Sequence, residues 1–147
     1  MKKVRIFTDG SSLGNPGPGG WCAILKYNQH EKILKGGKER TTNNEMELRA
    51  VLEGLRILKE PCEVELFTDS QYITKALSEW IFNWKKNNWK NSSKKEISHR
   101  EMWEEIYNLI NKHKVKPIWI KGHAGHKENE LCDKIAREEA SKFKNII

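Results

Sequence analysis

The sequence predicts a mixed α/β fold, in which a five-stranded sheet is flanked by helices. Three observations support this prediction. Short β-type runs follow one another at the start of the chain, a helical period replaces them near Glu45, and helical and β-type segments then alternate to Phe143. Three strands followed by helix–strand–helix–strand–helix is typical of a sheet that combines an antiparallel meander with parallel strands.

The first three strands are short and close together in the sequence. The apolar run at residues 3–8 leads into Asp9, and the stretch that follows, GSSLGNPGPGG, is too rich in Gly and Pro to be regular. Two further β-type runs, at residues 21–27 and 32–38, are joined by the polar residues NQHE. Such a short connection predicts antiparallel pairing.

The rest of the chain alternates between helices and strands. Thr42 followed three residues later by Glu45 has the form of a capping box, and a helical period continues to about Lys59. The other predicted elements, in chain order, are a strand at 62–69, helices beginning at SQYITKALSEW and HREMWEEIYNLINKH, a strand at 115–121 and a helix at 128–143. No long spacer interrupts this order, so we expect a single domain over residues 1–147.

Composition argues against several classes of protein. Among 147 residues there are 27 Lys and Arg against 20 Asp and Glu, and this net charge of +7 favours polyanionic partners. Three cysteines without CxxC spacing indicate neither a disulfide framework nor a zinc knuckle. No apolar run approaches the roughly 20 residues that cross a bilayer. We therefore expect a soluble cytoplasmic monomer with no membrane partner and no evident protein partner.

Four acidic residues stand at positions that suit a metal site. Asp9 and Asp69 end the apolar runs of two nearly identical sequences, IFTDG and LFTDS, at the C-terminal ends of predicted strands. Glu47 lies on the apolar stripe of its helix, and Asp133 borders the apolar stripe of the last helix. Each taken alone is explained as a turn, cap or solvated residue. Together, they suit hard divalent cations such as Mg²⁺, two of which can stabilise a phosphoryl displacement.

Residues 80–100 concentrate the positive charge. Six cations against Glu96 give this stretch a net charge of +5, and Trp80, Trp84 and Trp89 are interleaved with them. Indoles beside ammonium groups form a surface for sugar faces and phosphates. The alternative is a solvated charge run with Trp80 and Trp84 in the core.

Four stretches in order resemble bacterial ribonuclease H of type 1: FTDGSSLGNPGPGG, TTNNEMEL, FTDSQY and KGHAGHKENELCD. The resemblance covers about residues 3–140. It implies a ribonuclease H-like fold and hydrolysis of the RNA strand of RNA/DNA hybrids by a two-metal-ion mechanism that leaves 5′-phosphate and 3′-hydroxyl ends. It also implies Mg²⁺ as the cofactor, two ions when substrate is bound, with Mn²⁺ as an alternative ion.

The resemblance assigns roles to individual residues. The metal carboxylates of the family correspond to Asp9, Glu47, Asp69 and Asp133, and its loop histidine, a proposed proton carrier that aids product release, corresponds to His123. Residues 80–100 correspond to the basic protrusion that grips the DNA strand. The residues that this resemblance places against the hybrid are Asn15, Arg40, Thr42, Asn43, Asn44, Gln71, Tyr72, Trp80, Trp84, Lys85, Lys86 and Lys90.

The chain departs from the family pattern at two places. His99 stands where the DNA-phosphate pocket of Arg40 and Thr42 usually has Asn, and Asn87 and Asn88 stand where Arg and Gly are frequent. Two other functions stay open, namely a related metal-dependent DNA nuclease of the same fold and a non-catalytic hybrid-binding module. The binding module predicts the loss of at least one of the four carboxylates, and all four are present.

Overall fold

The computed structural model describes residues 1–122 and 125–144. A five-stranded sheet lies within them, and its strands have the spatial order β3-β2-β1-β4-β5. The strands are β1 (Lys2–Ser12), β2 (Gly17–Tyr27), β3 (His30–Thr41), β4 (Cys62–Thr68) and β5 (Lys114–Trp119). The first three pair as an antiparallel meander, while β4 is parallel to both β1 and β5. The predicted mixed sheet is therefore confirmed.

The helices follow the predicted order. They are α1 (Asn43–Arg56), α2 (Gln71–Lys75), α3 (Ile81–Lys86), α4 (Arg100–Lys112) and α5 (Lys127–Ser141), and a π-helical turn (Ala76–Trp80) joins α2 to α3. Thr42 caps α1 as predicted, since its hydroxyl accepts a hydrogen bond from the backbone N–H of Glu45. None of the helices in the described part of the chain has the length and apolar character needed to span a membrane.

The stretch after Asp9 is more regular than its Gly and Pro content predicts. β1 continues to Ser12 and β2 begins at Gly17, so only residues 13–16 lie outside strands. Asp9 therefore lies within β1, where it pairs with Cys22, and the prediction that it ends its strand is wrong. The glycines are tolerated because helices approach this part of β2 closely: a Cβ at Gly20 would lie 2.1 Å from the carbonyl oxygen of Ala136.

Both faces of the central strand are covered. Consecutive residues of β1 point to opposite faces of the sheet, so Ile6 packs in the core beneath α1 and α4 while Phe7 packs against α5. Cys132 and Ala136 are the buried residues of α5 in this second core. With helices on both faces, the middle of β1 is withdrawn from water, and the polar residues Thr8 and Asp9 are buried there.

Candidate active site

Three carboxylates converge where β1, α1 and the end of β4 meet. Asp9, Glu47 and Asp69 each offer one oxygen, and these oxygens lie within 4.8 Å of one another. The parallel register of β1 and β4, which pairs Phe7 with Phe67, brings the two aspartates to the same level of the sheet. Asp9 is 3% and Glu47 is 7% exposed. Two buried carboxyl groups and one partly exposed carboxyl group therefore share a small volume.

Gly10 permits this convergence. Its backbone N–H donates to Asp9 Oδ1 and to Glu47 Oε1, both at 2.9 Å. A Cβ at this position would lie 2.3 Å from the backbone nitrogen of Glu47. Any larger residue would push α1 away from β1, so the absence of a side chain at Gly10 lets Glu47 reach Asp9. Sequence reasoning missed this role, although the glycine directly follows the aspartate in TDG.

The raised pKa values of the buried carboxyl groups indicate that a bound cation would stabilise the cluster. Burial raises the pKa of Asp9 to about 7, and the charges of Asp69 and Asp133 act in the same direction. Burial, followed by the charge of Asp9, raises the pKa of Glu47 well above its ordinary value. Asp9 Oδ2 and Glu47 Oε2 are buried and have no hydrogen-bond partner among the described residues. Carboxylate oxygens are the ligands of hard divalent ions, so the residues fit the metal that the family implies.

Asp69 is held by the segments on either side of it. It follows β4 and precedes Ser70, whose hydroxyl caps α2 by accepting from the N–H of Ile73 at 3.1 Å. The backbone carbonyl of Asp69 accepts a hydrogen bond from the indole of Trp119 at 3.0 Å. Sequence reasoning did not single out Trp119, because strand register alone does not reveal a bond from its indole.

The fourth predicted carboxylate lies beside the cluster without being part of it. Asp133 is on α5, and its Oδ2 lies 2.7 Å from an Nη of Arg137. It is near enough for its charge to raise the pKa of Asp9. The structure thus brings three of the four predicted metal carboxylates together and pairs the fourth with a cation. His123, the predicted proton carrier, lies outside the described residues.

Two of the predicted minor-groove asparagines are bonded to each other. Asn15 Oδ1 accepts from the backbone N–H of Asn43 at 3.2 Å, and Asn43 Oδ1 accepts from the backbone N–H of Ser12 at 2.6 Å. Both asparagines are exposed, and so is Asn44. Since Thr42 supplies the cap of α1, neither Asn43 nor Asn44 is needed for capping. Their side chains stand at the surface next to the strand that carries Asp9.

The aromatic residues of the predicted protrusion form a chain. Ring centroids are 5.9 Å apart for Tyr72 and Trp80, 6.2 Å for Trp80 and Trp84, and 5.1 Å for Trp84 and the buried Trp103. Trp80 is 36% exposed, so the alternative that puts it in the core is wrong, whereas Trp84 is partly buried and packs against the core. Trp89 is buried, so it does not belong to the outer surface with which its spacing associates it.

The cations of the protrusion face water. Lys85, Lys86 and Lys90 are exposed, and a groove of about 530 Å³ runs between Trp80, Trp84 and the chain near Lys90. Asn88 has φ 56°, a left-handed conformation that Gly favours and Asn tolerates. Asn88 can therefore adopt the backbone conformation that the frequent Gly would adopt at this position.

The residues predicted for a phosphate pocket lie at two helix starts. Arg40 is exposed at the end of β3, directly before the segment that caps α1. His99 precedes α4 with φ 60° and makes no capping hydrogen bond with its side chain. Its ring is therefore not committed to the helix.

Gln71, another residue predicted to contact the minor groove, begins α2 and is exposed next to Asp69.

Comparisons with known proteins agree with the fold. The sequence pattern described as RNase H matches residues 1–141. The chain is 55% identical over 140 residues to Ribonuclease H of Haemophilus influenzae (strain 86-028NP), covering 95% of this chain and 91% of that protein. It is 53% identical over 145 residues to Ribonuclease H of Campylobacter concisus (strain 13826), covering 99% and 97%.

A solved structure shows the same architecture. LC9-RNase H1, a type 1 RNase H with the type 2 active-site motif, superposes with a TM-score of 0.86 at 31% identity, over 97% of this chain and 74% of that one. Its likeness extends over the whole sheet and its helices, and the sequence matches above extend over nearly the full chain. The chain belongs to the ribonuclease H family, among its bacterial type 1 members.

Proposed function

We propose that this chain is a metal-dependent endoribonuclease that hydrolyses the RNA strand of RNA/DNA hybrids. The observation that carries the proposal is the cluster of Asp9, Glu47 and Asp69, in which one buried oxygen of Asp9 and one of Glu47 have no hydrogen-bond partner in the described part of the chain. A site of this kind is costly to fold unless a cation completes it. Relatives that are more than half identical over nearly the whole chain carry the name Ribonuclease H.

Mg²⁺ is the ion we propose, with two ions when substrate is bound and Mn²⁺ as an alternative. Asp9, Glu47 and Asp69 would hold it, and Asp133 would join them after leaving Arg137. Bound divalent ions supply the positive charge that stabilises the attacking and leaving oxygens of a phosphoryl displacement. The proposed products have 5′-phosphate and 3′-hydroxyl ends, and His123 is the proposed proton carrier.

Discrimination of RNA from DNA falls to amide side chains at the edge of the cluster. The 2′-hydroxyl is the group that distinguishes the two strands, and it both donates and accepts hydrogen bonds. The amides of Asn15, Asn43, Asn44 and Gln71 do the same. The bond between Asn15 and Asn43 fixes two of these amides relative to β1, and hence relative to Asp9.

The DNA strand of the hybrid is assigned to the protrusion and to the predicted phosphate pocket. The rings of Trp80 and Trp84 flank a groove, and exposed lysines stand beside it. Aromatic faces stack on sugars and bases, and ammonium groups neutralise phosphates with little dependence on sequence. Arg40 and Thr42 are proposed to hold one phosphate, with His99 in the position of the usual Asn.

We further propose that residues 1–147 act as one domain, as a monomer in the cytoplasm. The support for a cytoplasmic location is that Cys22, Cys62 and Cys132 are buried free thiols, which persist in a reducing compartment. Sedimentation at micromolar concentration tests the monomer, and a sedimenting dimer would overturn it.

A panel of substrates tests the activity. Strand-labelled RNA/DNA hybrid, duplex RNA, duplex DNA and a four-way DNA junction are incubated with the protein in MgCl₂ and in EDTA. The proposal predicts that only the RNA strand of the hybrid is cut, and only with metal. Cutting of the junction or of duplex DNA would indicate another nuclease of the same fold. Tight hybrid binding without any cutting would indicate a binding module.

A further inference from the structure

Trp119 has no role in the proposed function, although it lies next to the carboxylate cluster. It is the last residue of β5, where it pairs with Thr68 at the end of β4. Its side chain is 44% exposed, and its indole N–H donates to the carbonyl oxygen of Asp69 at 3.0 Å in a bond that lies at the surface. A large aromatic ring is thus left partly in water at a position where its single polar atom has a specific partner.

The backbone around Asp69 shows why this bond matters. The carbonyl of Thr68 accepts from the N–H of Ile120, just beyond the end of β5, and the carbonyl of Ser70 accepts from the N–H of Thr74 at the start of α2. Between them the chain changes from strand to helix, and the carbonyl of Asp69 accepts from the indole of Trp119. This bond ties the peptide that follows the Asp69 side chain to a residue of β5.

The side chain of Asp69 is limited by the same segment. A Cβ built at Gly122 would lie 3.1 Å from Asp69 Oδ2 and 3.7 Å from its Cβ. The main chain of Asp69 thus meets Trp119, and its carboxylate meets the backbone three residues further on. The direction of this carboxylate towards Asp9 and Glu47 depends on how firmly the end of β5 holds it.

We propose that Trp119 is a positioning residue for metal binding, and that its indole N–H fixes the Asp69 peptide so that the carboxylate points into the cluster. The inference rests on the proposed function, in which Asp69 is a metal ligand. Partners that orient metal ligands typically change metal affinity by 10- to 100-fold. Trp119 acts one bond further away, through a carbonyl, so we expect an effect of about three- to tenfold.

Two substitutions separate the N–H from the ring. Trp119→Phe keeps an aromatic ring and removes the donor. Replacement of Trp119 by benzothienylalanine, in which sulfur takes the place of the indole N–H, keeps the size and shape of the side chain. Since the bond lies at the surface, water can take over the carbonyl in both variants, and we expect melting temperatures without metal close to that of the unmodified chain. Tyr27→Phe, which removes a polar atom from a ring at the far end of β2, is the matched control.

The measurement is calorimetric titration of the substrate-free protein with MgCl₂ and MnCl₂, followed by kcat and KM for hybrid cleavage. We expect both Trp119 variants to bind metal about three- to tenfold more weakly, with a lower kcat and an unchanged KM, while Tyr27→Phe matches the unmodified chain. Unchanged metal affinity in Trp119→Phe would overturn the inference. So would normal affinity in the benzothienylalanine variant alone, since the ring and not the N–H would then matter. Failure of the unmodified chain to bind metal would instead contradict the proposed metal site.

Discussion

Asp9 and Glu47 accept hydrogen bonds from the same donor, the backbone N–H of Gly10, at 2.9 Å each. One N–H cannot compensate two carboxylates, and the second oxygen of each is buried with no hydrogen-bond partner from residues 1–122 or 125–144. The packing of α1 on β1 therefore forces together two groups that would separate in water. The free energy of folding holds them in place, and a bound cation would make the arrangement favourable.

Asp9→Asn is expected to abolish turnover while hybrid binding is retained. The amide keeps the shape of the side chain but removes a metal ligand. It also removes a buried negative charge that is unfavourable beside Asp69 and Asp133, which is why the pKa of Asp9 is raised to about 7. We therefore expect the free energy of unfolding of the metal-free protein to rise by about 1–3 kcal/mol at neutral pH. Denaturant unfolding in EDTA and a cleavage assay measure the two effects.

Glu63→Gln, on β4 outside the cluster, is the control for Asp9→Asn. Near-normal turnover of Asp9→Asn would show that Asp9 is not a metal ligand.

Replacing Lys85, Lys86 and Lys90 by Gln is expected to weaken hybrid binding and to flatten its salt dependence. Each phosphate contact contributes about −0.9 to the slope of log K against log salt on duplex DNA, so the slope should shrink by about 2–3. Fluorescence anisotropy at several salt concentrations, without metal, measures it.

A second triple variant controls for net charge. Lys3, Lys114 and Lys116 are exposed lysines that line a different groove, over the starts of β1 and β5. Their replacement by Gln removes the same charge from the chain, and we expect it to change the slope by less than half as much. Equal slopes for the two variants would mean that the protrusion has no special part in binding.

Arg137→Gln is expected to strengthen metal binding. Arg137 pairs with Asp133 at 2.7 Å, and a metal ion that recruits Asp133 must compete with this cation. The pair is an exposed i,i+4 contact of the kind that contributes about 0.3–0.5 kcal/mol, so its loss should tighten metal binding by about twofold. Calorimetric titration with MgCl₂ is the measurement, and Arg137→Lys, which keeps the charge, should stay close to the unmodified chain. Weaker binding in Arg137→Gln would show that the arginine instead supports the site.

His113 is expected to make the protein less stable in mild acid. Its Nδ1 accepts the backbone N–H of Cys62 at 3.0 Å, and burial, helped by the charge of Lys112, lowers the pKa of His113 below 6.5. Below pH 6.5, the unfolded chain binds a proton at this histidine more readily than the folded chain does. The contribution of His113 to the free energy of unfolding is therefore lost as pH falls from 6.5 through its lowered pKa. The free energy of unfolding is compared between the unmodified chain and His113→Gln from pH 8 to 5. The advantage of histidine should shrink below pH 6.5, and a constant difference would contradict the assignment.

Local patterns predicted much of the architecture, because they depend on neighbours in the sequence. The Thr42 cap of α1, the inward stripe that carries Glu47, and the strand that delivers Asp69 all follow from spacing and side-chain type. The extension of β1 to Ser12 was not predictable in the same way. Gly-rich backbone is kept in the sheet here by the close approach of α5 to Gly20, which is a tertiary contact.

The same limit applies to the site. The sequence predicts four carboxylates in one cluster, and the structure brings three of them together. The fourth, Asp133, pairs with Arg137 one helical turn away. Trp89 was counted with the surface aromatics, but its left-handed backbone, φ 61°, accompanies a buried side chain. The bond from Trp119 to the Asp69 carbonyl joins two residues that are fifty positions apart in the sequence, and no local pattern encodes it.

Cleavage of an RNA/DNA hybrid with different labels on its two strands tests the central claim most directly. The reaction is run in MgCl₂ and in EDTA, with the unmodified chain and with Asp69→Asn, and the ends of the products are identified. The account predicts that the RNA strand alone is cut, only by the unmodified chain and only with metal, to give 5′-phosphate and 3′-hydroxyl ends. Cutting in EDTA, cutting by Asp69→Asn at a normal rate, or cutting of the DNA strand would contradict it.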